Sequence, residues 1–471
     1  MLKVKNLRLK YPSAHHKTFD GIDLEIKDKE KVLLLGPSGS GKSTLLNVLS
    51  GIVPDLIDLP LKYDTLMPAK NAGVIFQDPD SQFCLPQVNE ELAFILENQQ
   101  VPRQDMDRRI QHALTQVGLD INPKQQIHQL SGGMKQKLAI AGTLLQGADT
   151  LFLDEPTAML DIEATENLWN LLKSLWADQT VLIVEHKVEH IWQHVDRVIL
   201  MNHRGQIIQQ GTPDYIMSEF EDLLSEYGVW HPHAWARAPH PRHDAPKPID
   251  KPHTFQFSYQ QGAVQRGRRT LYQVDQLEIL PGEWITLTGK NGTGKTSLLE
   301  SMMQLIRYKG DMHYNGQKLT KIKSAAKHMY LVYQNPELQF IQNTVFDEIC
   351  INYHHMGAEQ AKSKTSDMLS LLDLKHVAQQ HPFELSMGQK RRLSVATALS
   401  TNADIILLDE PTFGLDSQNT FKLLELFQNR IAQGQTVFMV THDPHIIEKY
   451  PSRRLEVLDG KLYEYEVSAH D

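Results

Sequence analysis

Cysteine is nearly absent from this 471-residue chain, which has only Cys84 and Cys350. Two thiols so far apart exclude a disulfide framework, a zinc site and an iron–sulfur cluster, and they fit a reducing compartment. Long apolar runs are missing as well. Those around Val32 to Leu35, Leu151 to Leu153 and Ile405 to Leu408 are strand-sized, well short of the roughly 20 residues that cross a bilayer. Any work on a membrane would therefore need a spanning partner on another chain. The N-terminus runs Met1, Leu2, Lys3, Val4 straight into alternating sequence, with no pattern of a secretory signal. Positive charge is in deficit too. Lys and Arg number 48 against 57 Asp and Glu, a formal charge of -9, which argues against a nucleic-acid backbone as the main partner.

The rest of the composition is ordinary. Hydrophobic residues make up 41% and charged residues 22%, the profile of a folded globular chain with two or three domains. An internal repeat fixes the count at two. GPSGSGKST (Gly36 to Thr44) recurs as GKNGTGKTS (Gly289 to Ser297), and FQDPDSQF from Phe76 recurs as YQNPELQF from Tyr333. LSGGMKQK from Leu130 matches LSMGQKRR from Leu385, and LFLDEPTAMLD from Leu151 matches ILLDEPTFGLD from Ile406. The separations stay nearly constant: 253 residues for Lys42 and Lys295, 257 for Gln77 and Gln334, 255 for Glu155 and Glu410, 256 for His186 and His442.

Residues 1–228 and 251–471 are thus expected to be homologous domains. Between them, 229–250 is rich in Pro and His without strand or helix period and reads as an extended linker. At about 3.3 Å per residue it could reach on the order of 70 Å, enough to let the domains face each other. His231, His233, His240 and His243 lack an acidic or Cys ligand at fixed spacing, so a metal site there is the weaker reading. Alternation at Leu2, Val4, Leu7 and Leu9 predicts antiparallel strands, whereas the continuous apolar runs predict buried parallel ones. NHRG before Gln206 and Asp459–Gly460 predict hairpin turns. The fold class is α/β.

Each glycine-rich loop follows a strand and opens a helix, so its N–H groups can cradle phosphates. In the first, Gly36, Pro37, Ser38, Gly39, Ser40, Gly41 and Thr44 surround Lys42 and Ser43; in the second, Gly289, Lys290, Asn291, Gly292, Thr293, Gly294 and Ser297 surround Lys295 and Thr296. The lysines reach the β and γ phosphates and the hydroxyls ligate Mg²⁺. Asp154–Glu155 and Asp409–Glu410 end apolar strands about 110 residues later. The first acid of each pair is expected near Mg²⁺, and Glu155 and Glu410 beside the attacking water as general bases.

Ser131, Gly132 and Gly133 just upstream resemble the signature motif of ATP-binding cassette ATPases. The resemblance extends to Gln77 and Gln334 (Q-loops, also Mg²⁺ ligands), Asp161 and Asp416 (D-loops), and His186 and His442 (switch histidines), nearly the whole chain outside the linker. It implies two domains, each with a mixed core sheet, an antiparallel β subdomain and a helical subdomain. It also implies ATP and Mg²⁺ as ligands and an intramolecular pseudo-dimer, in which Ser386 and Gly388 complete the site of Lys42, Glu155 and His186, while Ser131 and Gly133 complete that of Lys295, Glu410 and His442. Tyr11 and Tyr259 stand where such domains carry an aromatic that stacks on adenine; an ordinary strand role remains the alternative. Met387 replaces the first signature glycine, and a Cβ there excludes conformations open to Gly. The site using that motif is expected to be the slower one.

Among tandem cassettes, ribosome-recycling ATPases carry a cysteine-rich cluster domain, which two cysteines exclude, and duplicated translation factors a charged helical arm, which the short Pro/His linker does not fit; a soluble tandem ATPase of the translation-factor type acting on ribosomes is the alternative reading. The segments FQDPDSQFCLPQVNEELAFILEN and YQNPELQFIQNTVFDEICINY are similar to the Gln-x-Pro-x-x-Gln-Phe region of energy-coupling factor transporters. That resemblance implies a peripheral ATPase on the cytoplasmic face of the membrane, with a transmembrane T-type protein and a small integral S-type substrate-binding protein as partners. The fused form is similar to ATPases for uptake of thiamine or its hydroxymethylpyrimidine precursor, with metal ions and other vitamins left open.

Overall fold

The computed structural model describes residues 1–12, 16–37, 39–158, 160, 162–242 and 256–466. The chain divides into two compact units, Met1–Ala236 with Asp416–Gln418, and Arg237–Leu415 with Asn419–Asp471.

In the first unit a six-stranded sheet runs in the order Ile207–Gly211, Arg197–Met201, Lys31–Leu35, Thr180–Val184, Thr150–Asp154, Ala72–Ile75. All neighbours are parallel except the first pair, which the Asn202–Gly205 turn closes as a hairpin. The parallel strands are buried on both faces, which is why they read as unbroken apolar runs. Leu33, Leu151, Leu153 and Ile183 enter one core with the helices, while Val32, Leu34, Phe152 and Leu182 enter another with the antiparallel sheet. That second sheet pairs Leu2–Leu9 with Phe19–Ile26. The three-residue step from Val4 to Leu7 breaks simple alternation, and an irregularity there, with Asn6 at φ 51°, returns Leu7 and Leu9 to the core.

The helical layer consists of Val88–Asn98, Arg103–Gln116 and Gly132–Gln146, packed through Val88, Leu92, Ile110 and Leu138. Ser131 caps the last of these by accepting from the Met134 N–H at 3.3 Å. The second unit repeats the plan with Val345–Cys350, Ala358–Leu371 and Met387–Leu399. Its strands join into one ten-stranded sheet, because Gln273 on the antiparallel side pairs with Lys461. Asp459 and Gly460, at φ 47° and 75°, turn the chain between the antiparallel strands Arg453–Leu458 and Lys461–Glu466. Among the described residues no helix is long and apolar enough to cross a membrane.

The segment read as an extended linker is not uniformly so. Val229, Trp230 and Ala234 are buried, and Trp230 bridges in parallel to Lys187, its N–H donating to the His186 carbonyl at 3.0 Å. Two large apolar side chains among the prolines and histidines supply the driving force. His231 is buried beside Ser225, with 2.8 Å between Nε2 and Oγ. Further along, the Pro239 carbonyl accepts from the Tyr450 hydroxyl at 2.6 Å. His243 lies outside the described residues, among which no cluster of three or more His, Cys, Asp or Glu could hold a metal.

Candidate functional site

Both glycine-rich loops join a central parallel strand to a helix, Lys31–Leu35 to Lys42–Leu49 and Trp284–Gly289 to Lys295–Met302. Gly41 and Gly294 precede the helices at φ 90° and 101°. A Cβ on Gly41 would stand 2.8 Å from Phe19, and one on Gly294 would stand 2.5 Å from Leu271. Glycine is therefore required twice over, by conformation and by space. Lys42 Nζ donates to the Gly36 and Pro37 carbonyls at 2.9 and 3.1 Å, and Lys295 Nζ to those of Gly289 and Lys290 at 2.7 and 3.1 Å. Burial pushes the Lys42 ammonium pKa down. Ser38 lies outside the described residues, as does Asp161.

The Ser43 hydroxyl donates to Asp154 at 2.8 Å and Thr296 to Asp409 at 2.7 Å. Burial pushes Asp154 up to about 6 and raises Asp409 as well. A hydroxyl beside a buried carboxylate, next to a phosphate cradle, is a hard oxygen donor set suited to Mg²⁺. Glu155 follows in a left-handed backbone at φ 48°, and Glu410 at φ 51°. Their N–H groups are held by the Val184 and Val440 carbonyls at 2.8 and 3.0 Å. Non-glycine residues rarely take this conformation, and both domains hold it at the same place, directly after the strand. His186 Nε2 lies 3.0 Å from Glu155 and His442 Nε2 3.5 Å from Glu410. Gln77 donates to Glu155 at 2.8 Å. Burial alone would raise the Glu155 pKa, but hydrogen bonding and charge from His186, with Lys42, outweigh it and hold it below the usual range.

The structure corrects two expectations. Tyr11 is 38% exposed with its hydroxyl 3.0 Å from Thr44, beside the first loop. Tyr259 is instead fully buried, donates to the Lys309 carbonyl at 2.8 Å, and sits edge-on to Tyr308. It pairs with Leu277 as Val4 pairs with Leu24, so it is a core residue and cannot stack on a base. Tyr259→Ala is expected to destabilise the second domain by about 3 to 5 kcal/mol, read by chemical denaturation. Tyr259→Phe should cost only about 1 kcal/mol and leave nucleotide binding unchanged.

The second correction concerns Met387. Gly132 and Met387 each open their helix in ordinary helical conformation, so backbone freedom is not what the substitution removes; bulk remains, on a side chain that is 42% exposed. The structure also gives the Gln-x-Pro-x-x-Gln pattern a folding role. Asp78 caps the turn Pro79–Gln82, Pro79 fills its first position, and Gln82 donates to the Val74 carbonyl at 3.1 Å. Asn335 and Pro336 do the same in the second domain, where Gln339 donates instead to the Ser394 carbonyl at 3.1 Å and the Thr397 hydroxyl at 2.9 Å on the signature helix. Lys135 from the signature helix grips Asp80 at 2.6 Å, and Lys390 grips Glu337 at 2.5 Å.

Sequence reasoning missed three kinds of residue here. Glu91 accepts from the Cys84 and Leu85 N–H groups, and Glu348 from those of Ile341 and Gln342; the acidic residue after each Q-loop was visible but its target was not. Glu185 is buried beside His186, and burial pushes it up to about 7. Arg391 is buried against the second Q-loop. The doublets GluHis and ArgArg were the only signals.

Two nucleotide cradles, each with a hydroxyl, an aspartate at a strand end, a glutamate in left-handed backbone and a histidine, define a tandem P-loop ATPase. The ABC transporter family model matches residues 19–158 and 272–413, and this chain belongs to that family. A Bacillus subtilis protein provisionally described as an HMP/thiamine import ATP-binding protein is 32% identical, over 98% of this chain and 90% of its own. A Streptococcus mutans protein provisionally described as an ABC transporter ATP-binding protein is 30% identical, over 98% and 90% respectively. Among solved structures, one described as RNase-L inhibitor matches 98% of this chain and 90% of its own, with a TM-score of 0.65 at 20% identity, a likeness of fold alone. Family membership implies that the chain binds and hydrolyses ATP.

Proposed function

We propose that this chain is the ATPase subunit of an energy-coupling-factor-type importer, working at the cytoplasmic face of the cell membrane. The observation that carries the reading is a matched pair of clefts, one beside each Q-loop turn. The first, of ≈ 300 Å³, is lined by Gln82, Phe83, Cys84 and Phe94; the second, of ≈ 450 Å³, by Gln339, Ile341, Ile351 and His354. Ile341 is 73% exposed, and an apolar side chain that far out of the core suits an apolar partner segment. The clefts would receive a transmembrane T-type protein, which in turn would hold a small S-type protein that captures the solute.

The two domains would pair so that each ATP, with Mg²⁺, lies between one glycine-rich loop and the other domain's signature motif. Mg²⁺ held by Ser43, Asp154 and Gln77, or by Thr296, Asp409 and Gln334, would offset phosphate charge. Glu155 and Glu410 would orient the attacking water, and His186 and His442 would hold those carboxylates. ATP closes the pair and hydrolysis reopens it, which moves the clefts. A thiamine precursor is the favoured solute, in line with the printed description of the Bacillus subtilis relative.

Affinity purification of the tagged chain from host membranes in mild detergent tests this. Recovery of a polytopic protein together with a small integral protein is the expected result, and the solute bound to the latter identifies the cargo. Recovery of ribosomes, or of no membrane protein, would refute the importer and point to a tandem cassette factor.

A further inference from the structure

The residues that meet phosphate are nearly the same in the two domains, but buried charges just behind them are not. In the first domain Glu185 is 3% exposed. Its carboxyl accepts from the Thr157 hydroxyl at 3.0 Å and from the His186 N–H at 3.0 Å. It thus ties the loop after Glu155 to the loop that carries the switch histidine. The matching residue in the second domain is Thr441, fully buried and neutral; its hydroxyl accepts from the Asp443 N–H at 3.2 Å.

The signature helices differ at the position that supports the Q-loop. Gln136, fully buried, donates to the Phe76 carbonyl at 3.3 Å. Arg391, 2% exposed, takes its place in the second domain and donates to the Tyr333 carbonyl at 2.9 Å and to the Gln334 carbonyl. Burial lowers the Arg391 pKa to about 10, with Glu410 and Asp409 pulling it back up. The group is therefore a cation at neutral pH and feels both acids of its site.

We propose that these four buried positions make the two sites electrostatically unequal, so that the second site holds ATP more tightly than the first. Glu185, which burial leaves only partly ionised at neutral pH, adds a fraction of a negative charge behind the first switch histidine, and Arg391 adds a full positive charge behind the second pair of acids. Both differences act in the same direction on a polyphosphate. In a buried setting such charges act over several ångströms with little screening. Neither residue touches nucleotide; both are positioning residues whose charge is felt through the site.

Equilibrium binding to the full chain tests this, with Lys295→Ala isolating the first site and Lys42→Ala the second. Measured at about pH 8, where Glu185 is largely ionised, Glu185→Gln, which keeps the shape and loses the charge, should tighten ATP at the first site about fivefold and ADP by less. Arg391→Gln, which installs the first domain's own residue, should weaken ATP at the second site by about fivefold or more, while Arg391→Lys stays within about twofold. A structural role would instead make Lys, with its different shape, as damaging as Gln, and would shift ATP and ADP equally. Equal effects of Arg391→Lys and Arg391→Gln, or an unchanged first site in Glu185→Gln, would overturn the proposal. Should Arg391 variants fail to fold, the Glu185→Gln measurement decides alone.

Discussion

Glu410→Gln is expected to cut steady-state phosphate release by the purified chain about tenfold or more, whereas Glu155→Gln should cost less than about threefold; the double variant should lose at least about a hundredfold. Both glutamates end a parallel strand with the same left-handed backbone and the same histidine neighbour. Besides the buried charges behind them, what separates them is the signature motif each would work with. On the pairing proposed above, the nucleotide held by Lys42 would meet Met387, whose exposed side chain starts a helix at the point where a phosphate would approach the helix N–H groups. The γ-phosphate would then be held less closely, and closure at that site would be slower. Phosphate release at saturating MgATP measures the effect, and equal losses in the two single variants would refute it.

Replacing the two loop lysines should separate binding from stability. In Lys42→Met/Lys295→Met the thermal upshift given by MgATP should vanish; at a hundred times Kd that upshift corresponds to about 2.7 kcal/mol per site. Without nucleotide, the variant should melt no lower than the parent chain. The reason is that Lys42 is only 6% exposed, its ammonium donates to two loop carbonyls, and burial already disfavours its charged form. Methionine is similar in volume and removes a desolvated cation whose gain comes only when phosphate arrives. Differential scanning calorimetry with and without MgATP reads both quantities. A retained upshift would show that the lysines do not bind the phosphates.

Much of the site was legible because each motif is contiguous and its chemistry is local. Glycines before a lysine, an acidic pair ending an apolar strand, and a histidine ending another are read directly as strand, loop and helix. The parallel and antiparallel strands and both hairpin turns were legible for the same reason. Residues that act through space were not. Glu185 matters because Thr157 lies beside it, and Arg391 because the Tyr333 carbonyl does; neither partner is near in sequence. Tyr259 was misplaced by register. In the first domain a loop carrying Tyr11 separates Leu2–Leu9 from Phe19–Ile26, but in the second the strands Phe257–Arg266 and Arg269–Ile279 meet in a tight turn, so no aromatic stands at the corresponding point. The left-handed backbone of Glu155 and Glu410 leaves no mark on composition.

The stretch after Gly228 has a mechanical meaning. Because the Trp230 N–H bonds the carbonyl of His186 itself, the segment leaving the first domain is anchored to the loop that carries His186. Tension on that segment would act on this loop as well as on the helix before it. It also sets where the domain can be cut: a fragment ending at Gly228 would lose the bridge from Trp230 to Lys187 and the hydrogen bond to the His186 carbonyl, whereas one ending at Ala236 would keep both.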